Sequence, residues 1–241
     1  MLLVLLAVLI AGLAVGGHAL VDVLREKNRI AGENAAKTAL QQDGILVVAD
    51  TSGRSPRVTS VHFLGKDLTD EQLRHVAAFH RISSLQLGGT NIADDQLRHI
   101  DGLAELASLQ LTDTRINGEG FAHLAPLKNL ESIHLMNTRV DDDALNHLAR
   151  IPSLKTVNLA NTRVTDDGVK RLATLPKLQW LMLSGTTLTD AGLRSLADAK
   201  SLSRLTVKDT KVTPDGIAEL KKVLPLLKTV EFGPSLKTGT Q

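Results

Sequence analysis

The chain has 241 residues, 43% of them hydrophobic and 22% charged, with a formal net charge of +2. The absence of cysteine excludes a disulfide scaffold, a thiolate metal site and a cysteine nucleophile, and the interspersed Lys/Arg and Asp/Glu give no basic field suited to nucleic acid. Only five aromatic rings (Phe63, Phe79, Phe121, Trp180, Phe232) stand against 43 leucines, so the core is aliphatic and the composition is biased in the way that repetition biases it.

Met1 to Val21, MLLVLLAVLIAGLAVGGHALV, carries one polar side chain, His18. A helix of that length spans about 30 Å, the thickness of one bilayer core. The run reads as a transmembrane helix over residues 1–22 that is retained as a signal anchor. Two alternatives stay open. A cleaved signal peptide lacks Lys or Arg ahead of its apolar run here, and Gly17-His18-Ala19 is a poor cleavage site. A buried soluble helix has no evident partner downstream. Arg25, Lys27 and Arg29 against Glu26 place the basic bias on the C-terminal flank, which taken literally puts the rest of a single-pass protein on the cytoplasmic side.

From Val21 to Gln42 the sequence is charged and alanine-rich with helical character, and Asp43-Gly44 stops it. Two β-type runs follow, Ile45–Ala49 and Val58–Phe63, separated by a turn-rich stretch over 51–56. Residues 23–56 thus read as a juxtamembrane helix with a hairpin, placed to shield the open end of an array.

The array is the strongest signal. Aligned by 24 residues, one apolar column reads Val61, Leu85, Leu109, Ile133, Val157, Leu181, Leu205, and another reads Phe63, Leu87, Leu111, Leu135, Leu159, Leu183, Val207. Their two-residue spacing predicts a short strand per unit with these side chains inward. Thr90, Thr114, Thr138, Thr162, Thr186 and Thr210 form a third column; only Lys66 breaks it. It is expected to turn inward, where each hydroxyl bonds freed backbone groups of the turn, repeat after repeat, as a ladder of satisfied polar groups. Each turn is followed by a helix start, led by Thr69, Ala93, Asn117, Asp141, Thr165, Thr189 or Thr213, six of which are good N-caps. Apolar pairs three apart, such as Leu193 and Leu196, seat each helix on the sheet.

The unit is fullest in TVNLANTRVTDDGVKRLATLPKL, Thr156 to Leu178. It resembles leucine-rich repeats of the ribonuclease-inhibitor-like and cysteine-containing subclasses, and especially bacterial proteins with TxVTDxGL units, over about Val58 to Phe232. Threonine replaces the usual asparagine or cysteine. The resemblance implies an α/β solenoid with a curved parallel sheet on its concave face and helices on its convex face, over 57–233 as about seven repeats and a terminal strand, with a flexible tail at 234–241. It also implies binding of a protein partner rather than chemistry.

Binding is expected on the outward strand positions. These are small and polar in the early repeats. In the C-terminal half they gather Trp180, Met182 and Met136, bordered by His134, Asn158 and Arg204, the residue types favoured as anchors or as adaptable contacts. The competing reading is a local apolar surface covered by the tail from Glu231 onward.

Other groupings are read more blandly. His75, His99, His123 and His147 recur once per repeat, too far apart to converge on one zinc ion. Asp141-Asp142-Asp143 and Asp166-Asp167 lack a calcium-loop pattern and read as helix caps. Arg115, Arg139, Arg163 and Lys211 read as a solvated charged edge. No nucleophile elbow, phosphate loop or H-E-x-x-H is present. No enzyme activity, cofactor or metal is expected. The sequence describes a membrane-anchored protein-binding scaffold, or alternatively a structural, envelope-organising element that self-associates.

Overall fold

The computed structural model describes residues 2–52, 57–63, 65 and 67–234, with side chains from Val21 onward. A single helix, α1, runs from Leu2 to Gln42, 41 residues, without a break at the expected 22/23 boundary. It ends where the left-handed Gly44 lets the Gly44 and Ile45 amides donate back to the Gln41 and Leu40 carbonyls. Only its C-terminal part packs on the body. Ala36 and Leu40 are buried, Ile30 and Glu33 are half-buried, and Val21 to Asn28 stand in solvent. Among the described residues no helix is long and apolar enough to cross a membrane. The expected span over residues 1–22 falls almost wholly on side chains outside those described.

The sheet has nine strands in sequential order. β1 (Leu46–Asp50) pairs antiparallel with β2 (Arg57–His62), and the remaining pairs are parallel: β3 (Ser84–Gln86), β4 (Ser108–Gln110), β5 (Ser132–His134), β6 (Thr156–Asn158), β7 (Trp180–Met182), β8 (Arg204–Lys208) and β9 (Thr229–Gly233). Register is one repeat per strand, so Leu109 faces Ile133 and Val157 faces Leu181. The expected hairpin is present, and its second strand is also the first strand of the solenoid. Both apolar columns are buried along their whole length and join one continuous core from Ala36 to Leu227. Burial of such aliphatic side chains stabilises by roughly 1.5–3 kcal/mol each before entropy is counted, so this spine dominates the fold.

The threonine column turns inward and bonds the backbone of its turn in every repeat that carries it, as expected. Each hydroxyl donates to the carbonyl three residues back in its own repeat: Thr114 to Leu111 and Thr138 to Leu135, both at 2.6 Å, and Thr186 to Leu183 at 2.7 Å. A short hydroxyl reaches the carbonyl of its own turn, so the column repeats one local bond along the array.

The corner before each threonine is left-handed in seven repeats: Gly65, Gly89, Asp113, Asn137, Asn161, Gly185 and Asp209 all have φ between 53° and 72°. Only glycine, asparagine and aspartate occupy this column, the residues that tolerate such a backbone. Here the repeats are joined side chain to side chain, Asn161 Nδ2 donating to Asn137 Oδ1 at 2.8 Å and Asn137 Nδ2 to Asp113 Oδ1 at 2.6 Å.

The convex elements are mixed. α2 (Asp70–Ala77), α3 (Leu145–Leu148), α4 (Asp166–Leu172), α5 (Asp190–Ser195) and α6 (Pro214–Val223) are α-helical, whereas Asp94–His99 and Glu119–Leu124 are 3-10 turns. Except at α3, which starts without a side-chain cap at Ala144, the difference follows the leading residue. Thr69, Thr165, Thr189 and Thr213 each accept a first-turn amide and start an α-helix. Ala93 offers no side-chain cap, Gly118 enters at φ 103°, and both lead into 3-10 turns.

Asp141 caps its own turn, accepting from the Asp143 amide at 3.1 Å, whereas Asp94, Asp142, Asp166 and Asp190 cap across the joint. Asp142 accepts from the Thr165 amide at 2.8 Å and from its hydroxyl, Asp166 does the same for Thr189, and Asp190 for Thr213. Asp94 accepts from the amides of Asn117, Gly118 and Gly120. The T-D-x-G pattern follows from this geometry. A Cβ at Gly168, Gly192 or Gly216 would collide with the carboxylate of the preceding unit's Asp142, Asp166 or Asp190.

Candidate functional site: the concave face

Along each strand the central residue is buried and its two neighbours point into the concavity. In-register parallel pairing lines these neighbours up across the sheet at about 4.8 Å per strand. Thr156, Trp180 and Arg204 therefore form one row, and His134, Asn158, Met182 and Thr206 the next. Trp180 and Met182 share one face of β7. The Arg204 guanidinium lies over the indole, 5.4 Å from the ring centroid, close enough for a cation–π attraction. Of the six expected residues, Trp180, Met182, Asn158 and Arg204 come together. His134 lies two strands from Met182, and Met136 lies past the end of β5 next to the corner, so both border the patch on its N-terminal side.

The early part of the concave face pairs with itself. Ser60 Oγ is 2.6 Å from His62 Nε2, Gln86 Nε2 donates to Ser84 Oγ at 3.1 Å, Thr112 donates to Gln110 Oε1 at 2.6 Å, and Ser132 Oγ is 3.0 Å from His134 Nε2. Asn158 Oδ1 accepts from the Ala160 amide at 3.1 Å. Burial holds the His134 imidazole below its usual protonation range, so at neutral pH it is uncharged and serves as a hydrogen-bonding group. At β7 this pattern stops, and the surface offers an indole, a thioether and a guanidinium instead.

The sequence reading missed two features. Leu46 and Val48 sit opposite His62 and Ser60 on β1, hence on the same face, and are 47% and 40% exposed. Strict alternation through Ile45-Leu46-Val47-Val48 is the signal that assigns them to it. A hollow of about 490 Å³ also opens where β7, β8 and β9 begin, with Arg204 on its wall. Its residues are far apart in sequence, and only the register collects them.

The tail does not cover the patch over the part that is described. Glu231 and Phe232 lie in β9 beside β8, extending the sheet, and Glu231 pairs with Lys208 at 2.8 Å. Residues 235–241 lie outside the described residues. On the convex side His99 approaches Asp70 at 3.4 Å and His123 approaches Asp101 at 3.8 Å. Among the described residues no group of three or more His, Asp or Glu is placed to hold a metal ion. Arg115, Arg139 and Arg163 are exposed, and none forms an ion pair among the described residues.

A parallel sheet of three-residue strands, each returning through a short convex helical turn with an inward threonine, is a leucine-rich-repeat solenoid. One unit, residues 150–173, matches the family model described as Leucine Rich repeat. Among solved structures the chain is similar to internalin C2 from Listeria monocytogenes, with a TM-score of 0.55 and 21% identity over 73% of this chain and 80% of that one. It is also similar to a leucine-rich-repeat protein of Leptospira interrogans, with a TM-score of 0.52 and 16% identity over 71% of this chain; it spans 48% of that protein's chain. No curated protein sequence matches. At these identities the likeness is one of fold.

Proposed function

We propose that the protein is a non-catalytic scaffold that recognises a protein partner through its concave face, centred on Trp180 and Met182, and is held to a membrane by the start of α1. The observation that carries the binding reading is the change at β7. Upstream side chains spend their hydrogen bonds on one another, whereas Trp180, Met182 and Arg204 present apolar area and donors without internal acceptors. The uncharged 21-residue run at the head of a helix whose exposed stretch begins with Val21, Val23 and Leu24 supports the anchor. The T-D-x-G joints support grouping the units with bacterial TxVTDxGL repeats.

The test is a comparison of proteins retained by the full chain with those retained by Trp180→Ala/Met182→Ala. A partner held equally by both places binding elsewhere. Alkaline extraction of membranes tests the anchor, since a spanning helix stays in the pellet and a peripheral one is released.

Self-association is a second reading, favoured by the apolar exposure of Val223, Leu226 and Phe232 at the C-terminal end, 46%, 52% and 45%. Sedimentation of the fragment lacking residues 1–30 separates the two. A strict monomer removes this reading, and a species that grows with concentration supports it.

A further inference from the structure

We infer that the partner meets this face with an acidic segment, its carboxylate entering the hollow beside Arg204 and Lys228 while a neighbouring apolar side chain packs on Trp180. The inference rests on the concave-face reading above and names the chemistry of its partner.

The hollow lies at the start of β7, β8 and β9, lined by Gln179, Ser201, Ser203, Arg204, Lys228 and Thr229 with Leu226. Two of these residues are cationic and none is acidic, in a chain with 26 Asp and Glu against 28 Lys and Arg. Two cations along the same sheet are paired internally. Lys155, which begins the same edge two repeats earlier, pairs with Glu131 at 2.6 Å, and Lys208, four residues along β8 from Arg204, pairs with Glu231 at 2.8 Å. Arg204 and Lys228 form no ion pair among the described residues.

Neutral groups do little for a ligand here. Ser201 Oγ donates to the Pro176 carbonyl at 2.8 Å and Ser203 Oγ to the Gln179 carbonyl at 3.1 Å, so both protons are already committed. Attraction falls to the two cations. A guanidinium beside an indole is also a fitted arrangement for a carboxylate, because the ring keeps the side chain from ranging through its rotamers. The charge is too sparse for a polyanion such as nucleic acid, which needs many such contacts, and the adjoining Trp180, Met182 and Leu226 call for apolar atoms next to the acid. A peptide in which Asp or Glu adjoins a large apolar residue supplies both.

Trp180 is the sole tryptophan, so its fluorescence reports on this surface alone. The experiment selects a random-peptide phage library on the full chain in detergent micelles and measures each enriched peptide by Trp180 quenching. Wild type is expected to enrich peptides with Asp or Glu beside an apolar residue. Their affinity should fall with added salt, and should fall about tenfold in Arg204→Glu/Lys228→Glu, which removes two exposed attractions and adds two repulsions. That double variant should instead enrich Lys or Arg peptides.

Enrichment of uncharged peptides, or affinities indifferent to the charge reversal but lost in Trp180→Ala/Met182→Ala, overturns the acidic segment and leaves the concave-face site standing. Peptides held equally by wild type and Trp180→Ala/Met182→Ala overturn the site itself. Failure to enrich any peptide overturns the inference, as does self-association abolished by the charge reversal, which would give the hollow to a second copy of this chain. Arg204 and Lys228 are exposed and Trp180 and Met182 half-buried, and thermal unfolding of each variant checks that the array stays intact.

Discussion

A single glycine shows how strictly the units are joined. Gly216 sits in the first turn of α6, where alanine ordinarily gains about 0.5–1 kcal/mol over glycine. Its Cβ, however, would strike the Asp190 carboxylate, which accepts from the Thr213 amide at 2.9 Å and from the Thr213 hydroxyl at 2.7 Å. Displacing that carboxylate forfeits charge-assisted bonds worth roughly 1.5–3 kcal/mol before solvent exposure is discounted, so the loss outweighs the gain. Gly216→Ala should therefore destabilise the native chain in urea titrations. In an Asp190→Ala background, with the obstacle gone, the same substitution should be neutral or stabilising. Equal effects in both backgrounds would refute the joint.

Asp190 also gives the fold an acid-labile component. Its carboxyl is held below the ordinary 3.8 first by the Thr213 amide and then by the Thr213 hydroxyl. The unfolded chain accordingly takes up this proton at higher pH than the folded one. The stability it contributes is complete above 3.8 and drains away as pH falls through the lowered folded value. Urea midpoints followed from neutral pH downward should decline less steeply for Asp190→Asn than for wild type over that interval.

At the scale of the element, the helix starts were legible in part. A leading threonine marked four of the five α-helical units, α3 being the exception, and the same rule accounts for Ala93 and Gly118, which lead into 3-10 turns. Ala93→Thr should supply the missing cap and a hydroxyl for Asp70, gaining about 0.5–1 kcal/mol. For a chain of this size that corresponds to a melting-temperature rise of about 1–4 °C, measurable by calorimetry. No rise would mean that the backbone at this joint is fixed by Gln96, which already bonds both the Ala93 amide and Asp70.

The two periods, two along the strand and 24 along the chain, gave the architecture, because burial of leucine at fixed intervals admits one stacking. What stayed hidden were bonds that cross from one unit to the next. Asp142 and Asp166 looked like caps of their own helices, since a sequence shows the nearest amide and not the one 23 residues on, whereas Asp141 does cap its own turn. The threonines bond the backbone of their own turns, as expected. The left-handed corner at Asn137 and Asn161 was readable from its Gly/Asn/Asp column, and would have located the side-chain ladder. The patch at Trp180 was legible as residue types, whereas the pairing of Arg204 with Lys228 around a hollow depends on the register of β8 with β9.

Taken whole, the molecule is a one-dimensional stack with unlike ends. The first is closed by the antiparallel β1 and the docked part of α1, and among the described residues the last is closed by β9, with Leu226 and Phe232 in solvent. In such stacks each unit is stabilised by its neighbours, so a unit lacking one neighbour opens first. Hydrogen exchange should therefore be slowest at β5 to β7 and fastest in β9 and α6. Protection that is uniform to the last strand would indicate that something further covers this end.

The joint made by one aspartate, one threonine and one glycine is the same from β6 onward, and it makes the length of the molecule adjustable in whole steps. A gene that duplicates or drops one unit in this region recreates the same joint on either side of the change. Such an event ahead of β7 carries the indole farther from the point where the long first helix docks, or nearer to it, by the width of one strand, and leaves the contact chemistry as it was. Reach can thus vary between lineages as a ruler does, in increments, while the end that grips is preserved.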